Sequence, residues 1–284
     1  MRSSAALLAL ALSPLALAQS AGQLAQPPVS QPFIRDGQLI YPDNNSIPRS
    51  LTPIERFWLA TNPLGGNNTR GNPTPPSGPV HCAAEYEPMQ AILVAWNGSS
   101  GQTAILATMG ANITTIGNAD LYVVGTTSQQ SAANTALTNA GANMARVKFF
   151  TYTTNTIWIR DYGPRYIYQG DCRAIVDHTY NRPRAADDNF PQWFGPQKKQ
   201  PVYDIPLIHG GGNYHLSALG DSYATLLISN ENPTLTNPQI ISHWANFQNV
   251  NTTITAAFPT SVDSTQHIDM WIDRKSTRLN SSHG

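Results

Sequence analysis

The 284-residue chain carries 17 basic and 17 acidic residues, so its formal net charge is zero. Four of the basic residues belong to the two terminal segments, which leaves the body of the chain mildly acidic, without the basic stripe that nucleic-acid binding requires. After the N-terminal segment, no stretch has the roughly 18 consecutive apolar residues that a membrane span needs. We therefore expect neither a nucleic-acid partner nor a membrane partner.

The N-terminus has the three parts of a secretory signal. Arg2 supplies a positive charge, residues 5–17 form a short apolar stretch, and Ala16-Leu17-Ala18 is a small-x-small cleavage site. We predict a signal peptide over residues 1–18 and an exported, extracellular protein.

Residues 19–80 are rich in Pro, Asn, Gln, Gly and Ser, which predicts a poorly structured lead-in to the globular domain. One short helix is expected near residues 52–60, because Thr52 can cap a helix and Pro53 suits its first turn. The globular domain follows over residues 81–272.

This domain begins with alternating strands and helices. Continuous apolar runs predict strands at residues 91–96, 120–124 and 146–152, with helices at residues 104–109 and 128–140. That order favours an α/β fold. Later segments are richer in strand, with predictions at residues 165–168, 174–178, 223–229 and 253–258, and through His267 and Asp269.

Two short motifs carry the chemistry of the chain. Trp158–Pro164 has the sequence W-I-R-D-Y-G-P, and His267–Trp271 has the sequence H-I-D-M-W. On an extended strand, His267 and Asp269 would point to the same face. Two carboxylates, an imidazole and nearby indole rings suit a flat, delocalised cation such as a guanidinium group.

Two further strings lie between these motifs, Asn181-Arg182-Pro183-Arg184 and Gly211-Gly212-Asn213-Tyr214. In this order the four strings resemble those of the Porphyromonas-type peptidylarginine deiminase family, which also contains agmatine deiminases. The resemblance runs from about Ala84 to Trp271. It implies a five-bladed ββαβ propeller, the pentein fold, of which this chain would supply three blades.

The resemblance also implies catalytic roles. Asp161 and Asp269 would hold the two sides of a guanidinium group, and His267 would act as general acid and later as base. Without the other motifs, a turn aspartate and a hydrogen-bonded strand histidine would be the simpler interpretations. We predict no metal and no cofactor, since His209 and His215 lack a third ligand at metal-site spacing.

Four residues are predicted to bind substrate. Trp158 would stack on the guanidinium or the substrate backbone, or else pack in the core. Arg182 and Arg184 would clamp the C-terminal carboxylate of a peptide ending in arginine, unless they lie in a solvated loop. Asn213 belongs to the Gly-Gly turn. The clamp favours peptide or protein arginine over agmatine, and a secreted, non-catalytic binding protein is the other alternative.

The resemblance implies a cysteine nucleophile in a glycine-rich context downstream of the H-I-D motif. Residues 273–284 are instead polar and basic and look like a translated sequencing adapter, so we expect a non-native end and an inactive fragment. Neither Cys82 nor Cys172 has a glycine-rich context. Each is expected to be a disulfide partner or an inert thiol.

Overall fold

A computed structural model of the chain describes residues 30–65 and 71–272. The predicted signal peptide and the predicted non-native end lie outside these residues. The described chain contains three sheets of three or four strands and one small hairpin, and helices pack on the sheets. The α/β prediction is therefore confirmed as a fold class. Within the described ranges, no helix is long and apolar enough to span a membrane.

The lead-in is more ordered than its composition suggested. Strands β1 (Phe33–Arg35) and β2 (Gln38–Ile40) form an antiparallel hairpin, and helix α1 spans Pro53–Leu59. Thr52 caps this helix, as predicted, through a reciprocal capping box. The expectation of a poorly structured lead-in is wrong for residues 30–65, because contacts with the domain order them.

The strands of the domain are, in chain order, β3 (Val80–Cys82), β4 (Ala91–Ala95), β5 (Asp120–Gly125), β6 (Val147–Thr151), β7 (Arg165–Gln169), β8 (Cys172–Tyr180), β9 (Val202–His209), β10 (His215–Leu216), β11 (Asp221–Thr225) and β12 (Asn251–Thr255). Its helices are α2 (Ser100–Thr115), α3 (Thr127–Asn139), α4 (Ile159–Tyr162), α5 (Ala185–Asp188), α6 (Phe190–Gln197), α7 (Leu227–Glu231) and α8 (Asn237–Gln248). Short 3-10 turns lie at Met144–Arg146, Gly211–Asn213 and Ile268–Met270.

The sheet β4-β5-β6 is parallel throughout and matches the predicted strand–helix–strand order. Its strands are apolar because helices cover them: Leu121 and Val123 on β5 are fully buried in one cluster with Leu137 of α3. Helix α2 is longer than predicted, since a capping box at Ser99 starts it earlier.

The sheet β3-β7-β8-β9 positions one half of the candidate site. Strands β8 and β9 run parallel, with Tyr180 paired to His209 where both strands end. The N-R-P-R string and the Gly-Gly turn follow these two ends, so the sheet brings them side by side. Strand β9 was not predicted, because Asp204 and Pro206 interrupt its apolar pattern.

The sheet β10-β11-β12 positions the other half. Strand β11 ends at Thr225, and the residues predicted to extend it form helix α7. The predicted strand through His267 and Asp269 is wrong, since these residues belong to the 3-10 turn at Ile268–Met270 and its N-cap. The directions of the His267 and Asp269 side chains are therefore set by a tight turn and not by the alternation of side chains along a strand.

Candidate active site

Three motif side chains meet at one glycine. A Cβ atom on Gly212 would lie 2.7 Å from Asp161 Oδ1, from Asp269 Oδ2 and from His267 Nδ1. Asp161 comes from α4, whereas His267 and Asp269 come from the last 3-10 turn. The sequence predicted one pocket for these three residues, and the structure brings them together over Gly212.

Gly212 therefore should not tolerate a side chain. We expect Gly212→Ala to lower the kcat/KM of the full-length protein about 100-fold, because a displacement of about 1 Å in a catalytic group costs that much. Gly101→Ala is the matched control, since nothing lies within 4 Å of a Cβ at that helical position. Steady-state kinetics and thermal melts compare the two. Wild-type kinetics in Gly212→Ala would show that the pocket tolerates a side chain at this position.

Asp161 is buried and fixed from two sides. The backbone N–H of Gly212 donates to its Oδ1 at 2.9 Å, and Nε2 of His178 lies 3.0 Å from its main-chain oxygen. Burial alone would raise the pKa of this carboxyl, but the His267 ring, the Arg49 guanidinium and the Gly212 N–H hold that pKa below its ordinary value. Asp161 is therefore an anion at neutral pH.

The His267 ring is fully buried, and its two nitrogens have no hydrogen-bond partner among the described residues. Nδ1 lies 3.4 Å from Asp161 Oδ1, close enough for electrostatic attraction but too long for a well-formed hydrogen bond. On the other side, a Cβ on Gly210 would lie 2.8 Å from Cε1 and 3.1 Å from Nε2. The absence of side chains at Gly210 and Gly212 therefore leaves the space that the His267 ring occupies.

Two polar side chains brace the turn that carries His267. The N–H of His267 donates to Asp263 Oδ2 at 3.2 Å, and the N–H of Ile268 donates to Asn213 Oδ1 at 3.2 Å. Asn213 Oδ1 also accepts from the N–H of Thr225 at 3.1 Å. Asn213, predicted to bind substrate, thus positions the turn relative to β11.

An arginine from the lead-in lies between the two carboxylates. Nη1 of Arg49 donates to Asp269 Oδ2 at 2.9 Å, and Nη2 donates to Asp269 Oδ1 at 3.0 Å, which is a forked pair. Its Nε lies 3.8 Å from Asp161 Oδ2, and Nη2 also donates to Thr265 Oγ1 at 3.2 Å. The pocket therefore holds a guanidinium group. Sequence reasoning missed Arg49, because no local signal marks it.

Trp158 and Arg182 contact the main chain of the same lead-in segment. The indole N–H of Trp158 donates to the carbonyl of Ile47 at 2.7 Å, and Nε of Arg182 donates to the carbonyl of Arg49 at 2.9 Å. Arg182 is buried, which excludes the solvated-loop alternative for it. Both residues thus lie where a polypeptide backbone approaches the pocket.

Arg184 forms a buried ion pair. Its Nε donates to Glu55 Oε1 at 2.8 Å, and both side chains are fully buried. Its Nη2 donates to the carbonyl of Pro48 at 2.8 Å and to that of Ser50 at 3.3 Å. The prediction that Arg184 clamps the C-terminal carboxylate of a substrate is wrong, because Glu55 of the same chain supplies its carboxylate.

A half-buried glutamate that sequence reasoning missed has an enclosed carboxyl group next to Asn181. Glu231 Oε1 accepts from Asn181 Nδ2 at 2.6 Å, and its Oε2 has no hydrogen-bond partner within the described chain. Enclosure of the carboxyl group raises the pKa of Glu231 to about 8, which favours its neutral form at pH 7. Asn181 in turn packs against Gly210, where a Cβ atom would lie 3.1 Å from Asn181 Oδ1.

Neither cysteine suits the role of nucleophile. Both are free, with Cys82 buried and Cys172 exposed, so no disulfide joins them. Burial raises the pKa of Cys82 to about 12, which keeps it a neutral thiol at pH 7. Cys172 begins β8, at the end opposite Tyr180 and the pocket.

Within this mixed α/β fold, the pocket pairs a guanidinium group with the carboxylates of Asp161 and Asp269. The chain belongs to the Porphyromonas-type peptidyl-arginine deiminase family, whose model matches residues 81–275. This is a family of hydrolases that modify guanidino groups. The resemblance carried by the four strings is confirmed.

Proteins similar to this chain include several agmatine deiminases. A Shewanella frigidimarina protein provisionally named as one is 33% identical over 141 residues, covering 44% of this chain and 38% of that protein. The Enterococcus faecalis enzyme has a TM-score of 0.57 at 19% identity, covering 67% of this chain and 56% of that one. A cysteine-to-serine variant from C. jejuni, with substrate bound, has a TM-score of 0.55 at 18% identity, covering 67% and 60%. The chain matches less than two thirds of each relative's length.

Proposed function

We propose that the protein deiminates arginine in peptides or proteins, so that the guanidinium group and water give citrulline and ammonia. The observation that carries this proposal is the position of Arg49, a peptidyl arginine whose guanidinium lies between Asp269 and Asp161. A pocket that fits an arginine within a continuous chain has room for peptide backbone on both sides of that residue.

The reaction needs a strong nucleophile, because charge spread over three nitrogens makes the central guanidinium carbon a poor electrophile. We propose that a cysteine thiolate from outside the described residues attacks this carbon, forming a C–S bond. Asp161 and Asp269 hold the cation, and His267 donates the proton with which ammonia leaves as the C–N bond breaks. Water then attacks the thiouronium carbon while His267 takes its proton, which releases citrulline and regenerates the thiolate.

The larger organisation belongs to the same proposal. The three sheets correspond to three blades of a five-bladed ring whose centre contains the pocket. The signal-like sequence at residues 1–18 supports export, and extracellular peptides and proteins would then supply the arginine.

Agmatine is the second candidate substrate, because the similar proteins of S. frigidimarina and E. faecalis carry agmatine deiminase names. Agmatine has the guanidinium group but no main-chain carbonyl. Arg182 distinguishes the two substrates, since its Nε donates to the carbonyl of the pocket-bound arginine at 2.9 Å. A site for agmatine would leave this donor without a substrate acceptor.

Arg182→Ala tests the assignment, in an Arg49→Ala background that empties the pocket. We expect the kcat/KM of the full-length protein for an internal-arginine peptide to fall about 10-fold or more, because a charged hydrogen bond is worth about 1.5–3 kcal/mol. The kcat/KM for agmatine should not change. Arg173→Ala is the control, since Arg173 is an exposed arginine near the start of β8, at the opposite end of the strand from Arg182.

Equal losses on the peptide and on agmatine would contradict peptide recognition by Arg182. Faster turnover of agmatine than of every peptide would make agmatine the substrate. Binding of both compounds without release of ammonia by the full-length protein would identify a non-catalytic binding protein.

A further inference from the structure

The lead-in approaches the pocket as an irregular segment whose backbone carbonyls are bound at successive residues. The carbonyl of Ile47 accepts from Trp158 at 2.7 Å, and that of Arg49 accepts from Arg182 at 2.9 Å. Between and beyond them, the carbonyls of residues 48 and 50 both accept from Arg184, at 2.8 Å and 3.3 Å. Four consecutive carbonyls are therefore bound by three side chains of the domain.

These contacts involve main-chain atoms and one side chain. Only the Arg49 guanidinium enters the pocket, through its forked pair with Asp269 at 2.9 Å and 3.0 Å. The pattern is typical of recognition of arginine within a peptide, in which backbone contacts give affinity and one pocket gives specificity.

Both ends of the segment are anchored. Upstream, Nδ2 of the buried Asn45 donates to the carbonyl of Asn155 at 2.5 Å. Downstream, Glu55 at the start of α1 pairs with Arg184 at 2.8 Å. Anchors on both sides keep Arg49 at a high effective concentration at the pocket, on the millimolar scale or above for a short tether.

Resting on the proposed function, we propose that residues 47–50 are an intramolecular pseudosubstrate. Arg49 occupies the guanidinium position and competes with every external arginine, so the protein with the lead-in bound is autoinhibited. An incoming peptide must displace the segment, and removal or release of the lead-in activates the site. The same contacts define the substrate class as arginine within a peptide.

Calorimetric binding of the peptide acetyl-Pro-Arg-Ser-amide tests this proposal. We expect Arg49→Ala to bind the peptide at least about 10-fold more tightly than the wild-type chain, since one charged hydrogen bond to the competing arginine already accounts for a factor of ten. Arg35→Ala removes an exposed arginine from the same lead-in and should leave the affinity unchanged.

Equal affinities in the wild-type and Arg49→Ala chains would overturn the pseudosubstrate and leave the proposed function standing. Binding of neither the peptide nor agmatine by a folded Arg49→Ala chain would overturn both proposals.

A second measurement on the unaltered chain covers the case in which Arg49→Ala does not fold. The Nε–Hε signal of Arg49 can be assigned in nitrogen-15 NMR spectra by comparison with Arg49→Lys. Its chemical shift should move towards that of a solvent-exposed arginine as the peptide is added. Saturation of the peptide site without movement of that signal would show that Arg49 does not compete for it.

Discussion

Asp269→Asn and Asp161→Asn should each lower the kcat/KM of the full-length protein for arginine peptides about 100- to 1,000-fold, the usual cost of removing one preorganised electrostatic partner. Asparagine keeps the shape of the side chain but removes the charge that pairs with a guanidinium group. The loss should be similar for agmatine, because both substrates present the same cation. Assays of citrulline or its agmatine analogue, together with ammonia, measure the effect.

Asp171→Asn provides the control for these two variants. Asp171 is an exposed carboxylate in the turn between β7 and β8, so its replacement should leave the kinetics at wild-type values. Circular dichroism spectra should show that all three variants are folded. Wild-type turnover in either pocket variant would remove that carboxylate from the mechanism.

Glu55→Ala should lower the free energy of unfolding by about 3–5 kcal/mol, because it leaves one member of a buried ion pair without its partner. The Glu55–Arg184 pair joins α1 to the segment after β8 at 2.8 Å, with both side chains fully buried. The hydroxyl of Tyr41 lies 3.0 Å from the same carboxylate and keeps the carbonyl of Pro183 as an acceptor at 2.9 Å, so the loss comes mainly from Arg184. Urea denaturation measures the change.

The effect of Glu55→Ala should depend on pH. Burial alone would raise the pKa of Glu55, but Arg184 and the Thr52 N–H hold it below its ordinary value of 4.5. The stability from this charge is therefore present above pH 4.5 and is lost as the pH falls through the lower folded pKa, so the difference between variant and wild type should shrink in acid.

Asp120→Asn is the stability control, since it removes an ion pair with Lys148 at the surface, at 2.6 Å, and should cost far less than Glu55→Ala because solvent screens the pair. If Glu55→Ala costs no more than this surface variant at neutral pH, the buried pair does not hold the lead-in on the domain.

The elements that local sequence specifies could be predicted. Strands β4, β5 and β6 are short apolar runs, and the helix starting after Thr52 has a cap, a proline and a matching glutamate. The pocket residues Asp161, His267 and Asp269 could be assigned because each lies in a short motif with a family resemblance. These motifs can be recognised from local sequence alone, without knowing which distant segments contact each other in the fold.

The features that depend on distant contacts could not be predicted. Arg49 and Asp269 are 220 residues apart, and the lead-in composition gives no sign of that contact. The predicted role of Arg184 was wrong for the same reason, because the carboxylate that it binds, Glu55, is 129 residues away in the sequence. The turn at Ile268–Met270 was taken for a strand, since three residues are too few to show a period.

The crystal structure of the Arg49→Ala chain with acetyl-arginine amide bound tests the central claim most directly. The account predicts that the ligand guanidinium takes the vacated position, with its nitrogens about 3 Å from carboxylate oxygens of Asp269 and Asp161 and its carbon beside the His267 ring. It also predicts that Arg182 donates to the ligand carbonyl. A ligand guanidinium that binds elsewhere and contacts neither Asp161 nor Asp269 would contradict the assignment of this pocket as the arginine site.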